Sequence, residues 1–123
     1  MDRPIIVCLC GSTRFSEAFR RANFEETLFG KIVLTIGCDT RNDTDLFASF
    51  TEAHRNRIKA ELDELHLRKI DLADEILILN VGGYIGDSTR KELDYARLHG
   101  KRVRFLEPMQ AEALAAGERE LDA

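Results

Sequence analysis

Four short apolar runs punctuate the chain, and each gap between them holds a segment with a different periodicity. Residues 4–10 (PIIVCLC), 31–37 (KIVLTIG) and 75–81 (EILILNV) are nearly continuous in apolar character, and residues 101–106 (KRVRFL) read as a fourth strand. A strand covered on both faces in a parallel sheet has this composition, because neither side meets water. From Phe15 the period lengthens: Phe15, Phe19, Ala22 and Phe29 recur at helical spacing while Glu17, Arg20, Arg21, Glu25 and Glu26 take the opposite face, up to Gly30. A longer helix is expected from about residue 51 to residue 72, with Ile58, Leu62, Leu65 and Ile70 as its apolar stripe. Residues 88–99 (STRKELDYARLH) make a third, capped by Asp87 or Ser88, and an Ala- and Glu-rich fourth is expected over 109–121, beyond Pro108.

Strands alternating with helices imply right-handed βαβ units. The expected fold is α/β, a single three-layer doubly wound domain of the Rossmann or flavodoxin kind over residues 1–123, with a parallel sheet of about four or five strands. A chain of 123 residues fits one such core. Ligands in these sheets bind beyond the carboxyl ends of the strands, where strand order reverses. The loops after the first three strands are therefore the ones that carry function.

Several partner classes are disfavoured by composition. The net charge is −4 and the basic residues are interspersed with acidic ones, which argues against a nucleic acid polymer as partner but leaves a single nucleotide open. No apolar run is long enough to span a bilayer, and Met1 is followed at once by Asp2, Arg3 and Pro4, which does not suit a signal peptide. Cys8, Cys10 and Cys38 are odd in number and read as reduced cysteines of a cytoplasmic protein, Cys8 and Cys10 pointing the same way from a strand as buried structural residues. Neither these thiols nor His54, His66 and His99 show a ligand spacing that implies a metal, and no cofactor is expected.

Three places can carry chemistry. After the first strand, Gly11, Ser12, Thr13 and Arg14 run straight into a helix: free amides, two hydroxyls and a planar guanidinium suit a phosphate or carboxylate. An ordinary tight turn with a helix cap would use the same residues. After the third strand, Gly82, Gly83 and Gly86 surround Tyr84 and Ile85, a loop shaped for close approach, and Ser88 and Thr89 open the helix that carries Glu92 one turn in. A carboxylate there can face the crevice and attack an electron-poor sugar carbon, or it can be a solvated helix glutamate paired with Arg90 or Arg97. Late in the long helix, His66 and Lys69 share a face near Asp71, where a histidine can exchange protons near neutrality or be one charge among many on a surface.

The strings CGSTR (residues 10–14), ADEILIL (73–79), GGYIGDST (82–89) and ELDYA (92–96) stand in the order and spacing of the nucleoside 2-deoxyribosyltransferase superfamily, and the chain resembles it over roughly residues 5–106. It looks nearest the branch of small 2'-deoxynucleoside 5'-monophosphate N-glycosidases. The resemblance implies cleavage of an N-glycosidic bond, or base exchange, on a nucleoside or nucleoside 5'-monophosphate. It makes Glu92 the carboxylate nucleophile and Ser88 a 5'-phosphate ligand, with Gly11, Ser12, Thr13, Arg14, Gly83, Tyr84, Gly86 and Thr89 around the substrate and Asp39, with Arg41, near the base or sugar. The family carries an aspartate eight residues before Asp74, and here that position is His66, which would take over the acid–base role. The resemblance also implies a homodimer or larger assembly. Two alternatives remain: a nucleotide-binding or sensor protein of the same fold without turnover, and a phosphoribohydrolase, whose glycine turn residues 82–92 partly imitate.

Overall fold

The computed structural model describes residues 3–37 and 49–108, and the backbone of residues 110, 111, 113 and 114. Strand β1 (Ile6–Cys10) lies inside a four-stranded sheet, flanked by β2 (Ile32–Leu34) and β3 (Glu75–Ile78), with β4 (Arg102–Phe105) outside β3. The order is β2-β1-β3-β4 and every pair is parallel. Helix α1 (Ser16–Leu28) joins β1 to β2, α2 (Glu52–Leu72) precedes β3, and α3 (Asp87–Leu98) joins β3 to β4.

Alternation along β1 and β3 sorts the core into two halves. Val7, Leu9, Leu77 and Leu79 pack with Phe19 and Ala22 of α1 on one face, whereas Cys8, Cys10, Ile76 and Ile78 pack with Ile70 at the end of α2 and Leu93 and Ala96 of α3 on the other. The sheet is thus a middle layer with helices on both sides, as expected for a doubly wound domain. Moving from β1 to β2 uses α1 on one face, and moving the opposite way to β3 uses α2 on the other. Reversing both direction and face keeps one handedness, which is the condition for winding a twisted parallel sheet from both sides.

Several local expectations are corrected. β2 has only three residues, and Thr35 leaves the sheet to accept a hydrogen bond from Lys69 Nζ at 2.6 Å. On α1 the buried residues are Phe19, Ala22 and Glu26, while Phe29 beyond its end is 78% exposed. Glu26 was assigned to the solvent face by its charge, yet it continues the 19–22–26 stripe and meets Arg104 of β4 and Lys31 there, with Glu75 of β3 in the same cluster. Thr51 caps α2 through its side chain, but Leu62 and Leu65 stay about half exposed, because the helix overhangs the sheet and only its last turns, with His66 and Ile70, are sealed.

Gly86, not Asp87 or Ser88, holds the N-cap position of α3, and no side chain caps it. Asp87 instead sits in the first turn, where its charge complements the helix dipole. At the other end of the chain, residues 110–111 and 113–114 form two-residue strands where a helix was expected, and the rest of the proposed 109–121 helix lies outside the described residues. Among the described residues no helix is long and apolar enough to cross a membrane.

Candidate functional site

Strand order reverses between β1 and β3, and a cleft of about 600 Å³ opens beyond their carboxyl ends. That volume falls within the range of small-molecule sites. Its walls come from the loop after β1, the segment after β2 (Ile36 and Gly37), the exposed length of α2, and the loop after β3 with the start of α3. Of the residues singled out in the sequence, Gly11, Ser12, Thr13, His66, Tyr84, Gly86, Ser88, Thr89 and Glu92 all line it. Gly83 and Arg14 do not. Asp39, Arg41 and Cys38 lie outside the described residues.

The β1 loop is built tightly. A Cβ on Gly11 would meet the Leu79 Cβ at 3.2 Å and the Leu79 carbonyl at 3.3 Å, so the glycine lets the ends of β1 and β3 close on each other. Ser12 then accepts a hydrogen bond from the Arg14 amide at 3.3 Å, capping a 3-10 turn over Thr13–Phe15 before α1 begins. Arg14 stacks on Tyr84, its guanidinium carbon 4.6 Å from the ring centroid, at the rim and not in the wall.

The glycines of the β3 loop are largely accounted for by the loop itself. Gly82 and Gly83 have φ of 64° and 84°, a left-handed backbone that favours glycine. The Gly82 amide donates to the Glu107 carboxylate at 2.9 Å, and the buried Asn80 exchanges hydrogen bonds with the Glu107 backbone at 2.9 and 3.0 Å. Gly86 makes room for the ring of Tyr84. The turn is therefore pinned to the end of β4, which fixes where α3 starts and hence where Glu92 stands.

Glu92 lies beside the sealed stripe of α3 formed by Thr89, Leu93 and Ala96, so its carboxyl sits at the edge of the core with one side on the cleft. Burial pushes its pKa up to about 6, against the opposing pull of the His66 charge. His66 is 5% exposed. Burial alone would lower its pKa, but the hydrogen bond and charge of Cys8, together with the charge of Glu92, leave it raised. Carboxylate and imidazole thus stabilise each other's charged forms at the cleft floor.

Beneath them lies a feature the sequence concealed. Cys8 and Cys10, both fully buried, point from β1 toward α2, and His66 Nε2 is 3.6 Å from each Sγ. The Cys10 thiol stabilises a Cys8 thiolate through a hydrogen bond, which draws the Cys8 pKa down and holds that of Cys10 up. No local spacing in the sequence signals this group. The residues are 56 and 58 positions apart in the chain and meet only because α2 returns over β1.

Arg55, Lys59 and Lys69 also line the cleft and were not singled out as substrate contacts. Their signal was present: positions 55, 58, 59, 62, 65, 66 and 69 lie on one side of a helix. The apolar members of that stripe suggested a core face; in the fold it is a cleft wall carrying cations. Comparison with known proteins finds no family model, no curated protein and no solved structure that matches the chain.

Proposed function

We propose that the chain cleaves the N-glycosidic bond of a nucleoside or nucleoside 5'-monophosphate, or exchanges its base, with Glu92 as nucleophile. The observation that carries this reading is the placement of Glu92: a largely desolvated carboxyl opening into a switch-point cleft that also holds His66, Ser12, Thr13 and Ser88. In the reaction a Glu92 oxygen attacks the anomeric carbon as the carbon–nitrogen bond to the base breaks. The base departs with a proton from His66, and water or a second base then displaces the glycosyl ester.

Hydroxyls of Ser12, Thr13 and Ser88, the free amides of the α3 start, and the cations Arg55, Lys59 and Lys69 suit an anionic substrate. Asp87 in the same wall partly offsets the α3 amides, and on this reading Ser12 and the α2 cations share the phosphate with Ser88. A homodimer or larger assembly belongs to the same reading, supported by the exposed Phe24, Leu28 and Phe29 around the end of α1. A cytoplasmic setting is part of it as well.

The test is incubation with ribo- and deoxyribonucleosides and their 5'-monophosphates, following released base by chromatography. Glu92→Gln lowers turnover by about a thousandfold or more while leaving nucleotide affinity intact. Base release undiminished by that change would end the proposal. One observation favours a second reading, a nucleotide-binding protein without turnover: His66 Nε2 is engaged by two thiols, which ties up one of its two proton-carrying positions. Binding with no base from any substrate would select it.

A further inference from the structure

We infer that Cys8, Cys10 and His66 form a binding site for a soft divalent cation such as zinc, with Glu92 or a water from the cleft closing the fourth position. Geometry is the first support. Zinc bound by sulfur at about 2.3 Å and imidazole nitrogen at about 2.0–2.1 Å, at tetrahedral angles, sets sulfur and nitrogen about 3.5–3.6 Å apart. His66 Nε2 stands 3.6 Å from Cys8 Sγ and 3.6 Å from Cys10 Sγ, and all three donor atoms lie within 4.8 Å of one another. The donors are close to their ligating positions before any ion arrives, so little backbone has to move.

The second support is the surroundings. Cys8 and Cys10 are fully buried in a central strand, and His66 is carried on the sealed end of α2. A rigid scaffold of this kind holds ligand directions as well as distances. Access comes from the cleft, where His66 and Glu92 form part of the wall. Two thiolates and a carboxylate bring three negative charges, which the divalent ion and the neighbouring Lys69 ammonium offset, so the closed site carries no uncompensated charge. Thiolate-rich donors select zinc or similarly soft ions over magnesium and calcium.

The site does not depend on the glycosidic reading, since none of its donors needs a substrate. Occupancy would nevertheless engage His66 and crowd Glu92, so zinc loading stops base release if that reaction exists.

Cobalt(II), a spectroscopic stand-in for zinc, supplies the test. The reduced full-length protein is expected to bind one equivalent, with thiolate-to-cobalt charge transfer and the intense bands of tetrahedral coordination, displaced by zinc. Cys38→Ser leaves the spectrum unchanged. Cys8→Ser and Cys10→Ser each remove charge-transfer intensity, and His66→Gln weakens binding by about a hundredfold or more, since losing even an outer-shell partner costs about 10–100-fold. Serine in a sealed strand can unfold the chain, so the wild type also decides: zinc raises its thermal midpoint and binding releases protons. A weak octahedral spectrum, no zinc-dependent stabilisation, or charge transfer that follows Cys38 would overturn the inference and leave a hydrogen-bonded core cluster only.

Discussion

The ring of Tyr84 rests on Gly86 so closely that a Cβ there would come within 2.9 Å of the phenol oxygen. Tyr84 is also the residue on which Arg14 stacks, so this contact links the loops after β1 and β3 across the mouth of the cleft. Gly86→Ala therefore displaces the ring and, with it, Arg14. The displaced group is the end of a flexible side chain, so the expected loss of stability is small, under about 1 kcal/mol. Ligand affinity is expected to fall roughly tenfold, about 1.4 kcal/mol. Calorimetric titration beside a urea unfolding curve separates the two; equal affinity in variant and wild type would show that Tyr84 does not shape the site.

On the glycosidic reading proposed above, the pH dependence of turnover follows from Glu92. A nucleophilic carboxylate must be ionised, and its pKa is pushed up to about 6 by burial. On the acid side kcat/KM is expected to fall about tenfold per pH unit below about 6. A limb that breaks near 4.5 instead, the ordinary glutamate value, would mean the carboxyl is solvated during catalysis.

The same shift has a stability consequence of definite sign. For a group whose folded-state pKa is raised, its stabilising contribution is complete below about pH 4.5 and disappears as pH rises through about 6. A rise from 4.5 to about 6 corresponds to about 2 kcal/mol. Glu92→Gln, which cannot ionise, is accordingly expected to be more stable than the wild type by about 2 kcal/mol near pH 8 and equal to it near pH 4. Denaturant unfolding at the two pH values reads this directly. Gain of stability coupled with loss of turnover is the pattern of a functional carboxylate held in an unfavourable place.

At the other end of the sheet, Arg104 Nη2 bonds the carboxylates of Glu75 at 2.8 Å and Glu26 at 2.5 Å, and Lys31 Nζ reaches both at 3.0 and 3.2 Å. The Glu75 side chain is 3% exposed and that of Arg104 34%. Glu75→Ala leaves two cations facing one carboxylate in a partly dry site, at an expected loss of about 3 kcal/mol, the lower end for breaking a buried pair because Arg104 keeps some water. The thermal midpoint should drop by on the order of 10 °C. A drop no larger than that of an exposed pair, such as Arg21 with Glu25, would show that the network contributes little.

Much of the fold was legible because it follows from local rules. Continuous apolar runs such as PIIVCLC and EILILNV, period 3.6 in the segments between, and glycine at the helix ends locate the four strands of the sheet and the three helices around it. The second strand is shorter than its run, and the helix expected over 109–121 is not found at residues 110–111 and 113–114. Parallel order and two-sided layering then follow from the helical crossovers between strands. The glycine turn and Glu92 were legible for the same reason, since a βα loop and the first turns of its helix are adjacent in the chain.

What failed is as specific. Glu26 and Glu75 were unreadable as core residues because their burial depends on Arg104 and Lys31, which arrive from elsewhere in the chain. The stripe of α2 is legible as apolar, but periodicity does not report whether anything covers it; Leu62 and Leu65 line the cleft.

By itself, then, the sequence determined the elements, their order and the kinds of side chain at each loop, since these depend on neighbours within a few residues. The tertiary structure alone decided that His66 meets Cys8 and Cys10 and that Glu92 stands in the same cleft as Ser12. Such meetings depend on how far α2 overhangs the sheet and where strand order turns back, and neither is written in any single stretch of chain.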